Sequence, residues 1–121
     1  MRVFIFGNPD LQMDSLPVKL LPELKEKYKE HEFLFQDPNE EWDTSEPFFV
    51  IDTVVGLPEP MVFDDIEDFE NSPRLSMHDF DALTNLKFLK KLGKLPEIKI
   101  AGLPPTISKD EALKFISSFL S

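Results

Sequence analysis

The sequence predicts an α/β fold, a three-layer α/β/α sandwich on a largely parallel sheet of about five strands. Three observations carry that expectation. Short, fully apolar runs such as Val3 to Phe6 and Phe48 to Ile51 read as strands covered on both faces. Stretches with apolar residues at helical spacing alternate with them, as crossover helices between parallel strands require. Glycine, proline, asparagine and aspartate gather between the runs, where turns belong.

Val3 to Phe6 is the first strand and gives way to Gly7-Asn8-Pro9-Asp10. From Ser15 onward Leu16, Leu20, Leu21, Leu24 and Tyr28 define a helix, with Pro17 suited to its first turn and Pro22 expected to kink it. Glu32 to Gln36 is a second strand and Phe48 to Asp52 a third, apolar until its last residue. Between them the polar stretch Asp37 to Pro47 reads as a loop, with Trp42 as an anchor. Met61 to Phe63 is a short strand, and the acidic run Asp64 to Glu70 after it reads as a solvated face, lacking the glycine of a calcium loop. Ser76-Met77-His78-Asp79 matches a helix start, and the stripe Leu83, Leu86, Leu89, Leu92 runs on to a terminating Gly93. Ile98 to Leu103 is the last strand. Ser108-x-x-Glu111 then caps a terminal helix that turns Ala112, Leu113, Ile116, Phe119 and Leu120 inward.

Composition narrows the function. One domain spanning residues 1–121 is expected, because 121 residues with 41% hydrophobic content and twelve phenylalanines close one core. A formal charge of -10 repels phosphate backbones and anionic headgroups, which argues against nucleic-acid and membrane partners. Without cysteine there is no disulfide framework, zinc-thiolate cluster or cysteine nucleophile. No apolar stretch approaches the ~20 residues of a membrane span, and the opening run is too brief for a signal sequence, so a cytoplasmic protein is expected, as a monomer.

Ligands of open α/β sheets bind beyond the carboxyl ends of the strands. Two polar features fall there, the Gly7 to Asp10 loop with Asp14 and the aspartate at the tip of the third strand, Asp52. A carboxylate ending an apolar run is desolvated on one side and needs a cation or a hydrogen-bond donor. Asp52 equally reads as a cap for N–H groups in the turn toward Gly56. Asp14, just before Ser15, reads by itself as a helix cap. His78 lies near the start of its helix, where the dipole favours the neutral imidazole that binds metals, although a lone histidine also reads as a surface residue. Together two carboxylates and one imidazole leave open coordination positions and suit nickel, zinc, iron or manganese rather than calcium. His31, within Lys29-Glu30-His31-Glu32, reads as exposed. There is no dinucleotide loop, Gly-Lys-Ser/Thr phosphate cradle or Gly-x-Ser-x-Gly elbow, so no organic cofactor is expected.

Taken in order, these segments resemble the nickel hydrogenase maturation proteases, endopeptidases that trim the C-terminal extension of a nickel-iron hydrogenase large subunit. Gly7-Asn8-Pro9 with a following acidic residue resembles the family's opening motif, and Val50-Ile51-Asp52-Thr53 its Ile-Ile-Asp-Ala strand end. Ser76-Met77-His78 resembles its Ser-x-His, and Gly102-Leu103-Pro104-Pro105 its late Gly-[Ile/Val]-x-Pro. The resemblance implies that Asp14, Asp52 and His78 are catalytic and metal-contacting residues. It also implies that the nickel is supplied by the large-subunit precursor, the expected partner, and serves as the recognition handle. Departures include Met13 for a common acidic residue, and Ser15 and Pro17 where the family usually has glycines. The Asp-Gly-Gly-Thr usual after the second strand is reduced to Asp37-Pro38-Asn39-Glu40. This compact, divergent pattern makes a hydrolytically inactive, metal-sensing maturation partner that binds the large subunit the alternative.

Overall fold

Apolar runs become strands where a sheet can cover them, and five strands form among the described residues. The computed structural model describes residues 2–6, 16–36, 46–53, 57–64, 90–93 and 97–120. Strand β1 spans Arg2–Ile5, β2 Glu32–Phe35, β3 Phe48–Thr53, β4 Met61–Phe63 and β5 Ile98–Leu103. They form one five-stranded sheet in the order β2-β1-β3-β5-β4. β1 pairs parallel with β2 and β3, and β3 parallel with β5, while β4 runs antiparallel to β5. The expected α/β class and largely parallel sheet are therefore present, with one reversed edge strand.

Alternation along β1, β3 and β5 explains why their sequences show no polar face. Val3, Ile5, Ile51, Ala101 and Leu103 point to one side, joined by Phe33. Phe4, Phe6, Phe48, Val50, Ile98 and Ile100 point to the other, joined by Leu57 and Phe63. On that second side the Phe4 and Phe48 rings meet edge to face, centroids 5.4 Å apart.

The first side carries both described helices, α1 (Leu16–Lys27) and α2 (Lys109–Leu120). Leu20 and Leu24, four apart, and Ala112 and Ile116, also four apart, supply their fully buried stripes. α2 starts where the sequence signals it, the Ser108 hydroxyl accepting the Glu111 N–H at 3.2 Å. Lys109 occupies the dipole's unfavourable end, and an ion pair with Glu23 of α1 offsets this. The hydrogen bond to Glu23 and its charge raise the Lys109 pKa above the ordinary lysine value.

The stripe ending at Gly93 is described only in its final residues. Lys90 and Lys91 are helical, and Gly93, at φ +71°, donates its N–H to the Lys90 carbonyl at 3.0 Å. That left-handed glycine is the expected helix terminator. The rest of this expected helix, and the stretch around Trp42 expected as a loop, lie outside the described residues. Among the described residues no helix is long and apolar enough to cross a membrane.

One local expectation changes. His31 is not exposed: its side chain is 13% accessible. The turn from α1 into β2, where His31 N–H bonds the Tyr28 carbonyl, swings the ring among Tyr28, Phe33 and Phe49 at centroid distances of 6.2 to 6.5 Å. Charged neighbours in sequence had masked that tuck. Pro22, where a kink is expected, lies inside α1, which runs through it to Lys27. An interior proline still forfeits a backbone bond and crowds the preceding turn. Pro22 is exposed, so Pro22→Ala should raise stability by about 1–3 kcal/mol, read as a higher urea midpoint with unchanged slope.

Candidate functional site

A strand covered on both faces tolerates charge only at its ends. β3 is such a strand, flanked by β1 and β5, and its penultimate residue is Asp52. The residue is 2% exposed, at the carboxyl end of the parallel strands. Its carboxylate is held from its own chain: the Thr53 N–H donates to Asp52 Oδ1 at 2.8 Å. That bond is the local capping role open to this residue, and it leaves most of the carboxylate's acceptor capacity for other groups.

Register shows what stands beside it. Asp52 lies opposite Gly102 of β5, and Gly102 lies opposite Met61 of β4. On the other flank Phe6 continues β1, its N–H bonded to the Ile51 carbonyl at 3.1 Å. A carboxylate thus sits in a row between a buried aromatic and a residue with no side chain, and Gly102 raises no wall on the β5 side. Gly102-Leu103-Pro104-Pro105 was visible as a motif in the sequence. Its position beside Asp52 required the register.

Of the three candidate residues, Asp52 is the one described, and Asp14 and His78 lie outside the described residues. Among the described residues, no three histidine, aspartate or glutamate side chains are grouped to hold a metal ion. A groove of about 550 Å³ lined by Arg2, Glu30, Glu32, Glu46 and Pro47 opens at the opposite end of the sheet, where β1, β2 and β3 begin. That is the wrong end for ligands of a parallel sheet.

Thr53 was not singled out by sequence reasoning beyond the strand end it follows. Its backbone serves Asp52, while its side-chain Oγ1 is buried with no hydrogen-bond partner among the described residues. An unsatisfied buried hydroxyl costs about 1–3 kcal/mol. Thr53→Val keeps the shape and the N–H but removes that cost, so thermal unfolding should move to higher temperature by an amount equivalent to about 1 kcal/mol.

Comparison with known proteins places this geometry among solved folds. No protein-family model matches the chain, and no curated protein sequence does. Three solved structures are similar. The hydrogenase maturating endopeptidase HybD from E. coli superposes with a TM-score of 0.65 at 18% identity, over 88% of this chain and 75% of that one. An endopeptidase from Escherichia coli, solved in solution, gives 0.69 at 17% identity, over 99% of this chain and 90% of its own. An uncharacterized protein from Wolinella succinogenes gives 0.62 at 14% identity, over 99% and 98%. The chain has the fold of these endopeptidases.

Proposed function

We propose that this chain is an endopeptidase that removes the C-terminal extension of a nickel-loaded hydrogenase large-subunit precursor. The observation that carries the reading is the Asp52 carboxylate, buried at the tip of β3 in a fold shared with two structures described as endopeptidases. The ordered sequence motifs that led to Asp14, Asp52 and His78 supply the rest of the site.

In this reading the nickel belongs to the substrate. Two carboxylates and a neutral imidazole match a borderline divalent metal and leave positions free for the ligands that the precursor itself provides. A protein that recognises the metal through these three groups acts only on a precursor that has already received it. Hydrolysis then adds water across one peptide bond: water oxygen bonds to the carbonyl carbon, the C–N bond breaks, and the departing nitrogen takes a proton. The metal in the substrate polarises the carbonyl or the water as a Lewis acid. Asp52 contributes negative charge from a fixed position, because the Thr53 N–H holds one of its oxygens in place.

Asp52→Asn preserves an acceptor for the Thr53 N–H and deletes the charge. Incubation with nickel-loaded precursor should shorten the precursor at its C-terminus, with no shortening of the nickel-free form. Asp52→Asn, Asp14→Ala and His78→Ala should each lower kcat/KM by about a hundredfold or more, measured by mass spectrometry of the released peptide. Normal cleavage by all three variants would remove them from the site. Ser15 and Pro17 replace glycines near Asp14, and Pro17 is buried in the first turn of α1, which favours one second reading, a partner that binds without cutting. Stable co-purification with an unprocessed, nickel-loaded precursor identifies that case.

A further inference from the structure

Among the described residues β4 is a terminal strand, paired with β5 on one side and with no described strand on the other. Such a strand presents backbone N–H and C=O groups to whatever lies beside it. Consecutive strand residues point to opposite faces. Met61 and Val62 are consecutive and are 40% and 42% exposed, so β4 reaches solvent on both faces at that point. β2, the opposite edge, differs: between Phe33, buried, and Phe35, exposed, Leu34 is partly covered.

Edges that resist pairing usually carry lysine. From Leu57 to Asp64 this segment carries none; its charged residues are Glu59 and Asp64, both exposed. The sequence leaving β4 continues the same sign through Asp65, Glu67, Asp68 and Glu70. Pro58 and Pro60 confine backbone pairing to Met61–Phe63. Like-charged flanks oppose pairing with a second copy of a chain whose net charge is -10.

Register joins this edge to Asp52. Met61 is opposite Gly102, and Gly102 is opposite Asp52. At ~4.8 Å between strands, a polypeptide lying beyond β4 is ~14 Å from β3, a distance that four or five extended residues cover. Gly102 contributes no side chain along that path. We propose that the outer edge of β4, at Met61 and Val62, is the docking strand for the substrate polypeptide. The occupant is an extended segment with basic residues beside apolar ones. It adds to the sheet through main-chain hydrogen bonds and leads its scissile bond over Gly102 to Asp52. This deepens the peptidase reading and rests on it for the occupant's identity.

The test titrates the isotopically labelled full chain with an extended peptide of alternating lysine and valine, and with its glutamate-valine counterpart. Saturable amide shifts are expected at Met61, Val62 and Phe63 with the basic peptide and not at Glu32–Phe35. The acidic peptide should bind about tenfold more weakly or worse, and the double variant Glu59→Lys, Asp64→Lys should lose about tenfold in affinity for the basic one. In precursor cleavage, Val62→Lys should raise KM about tenfold with kcat retained, whereas Asp52→Asn lowers kcat. Shifts confined to β2, no shift at β4 with either peptide, or self-association through β4 in the absence of peptide would overturn the docking strand. If Asp52→Asn cleaves normally while the β4 shifts are present, the peptidase site is lost and the docking edge stands.

Discussion

The pairing of β3 between β1 and β5 is the constraint on which the rest depends. Its six residues form a parallel ladder with β5 along their whole length, and Phe48 to Ile51 pair with β1 on the other side. Because helices cover one face and a second aromatic cluster fills the other, nothing polar can stand along the strand. Polarity is forced to its end, and the end chosen by parallel pairing is the rim where strands deliver side chains to ligands. Asp52 is buried there because β3 is central, and it is held there because the next residue's N–H reaches back to it.

The opposite end of the sheet has a different character. Tyr28, His31, Phe33, Phe49 and Phe119 interlock where β2 and β3 begin, with the Phe49 and Phe119 rings 5.1 Å apart. The turn after α1, β2, β3 and α2 all contribute to that aromatic plug.

How much was legible follows from which signals are local. β3 and Asp52 were readable because an apolar run ending in aspartate declares both burial and boundary. α2 was readable from a capping serine and a four-residue stripe. The reversal of β4 was not, since three residues carry no mark of direction, and pairing with β5 joins Met61 to Gly102 across a long stretch of chain. His31 misled for a related reason. Its neighbours Lys29, Glu30 and Glu32 advertise solvent, whereas its environment is set by Phe33 and Phe49, which arrive from β2 and β3. Gly102 was visible as part of a strand and a motif, and became a neighbour of Asp52 only through register.

The strand order has a consequence for synthesis. β5 lies between β3 and β4 although it follows both in the chain. During translation, then, β3 has an open flank and β4 has no partner until Leu103 has left the ribosome, so the sheet cannot be closed by its N-terminal half. The rim beside Asp52 is completed only once β5 has emerged. Until β5 slots in, a nascent chain has the carboxylate but not the neighbour that frames it, and the exposed flank of β3 is the stretch most in need of protection by a chaperone.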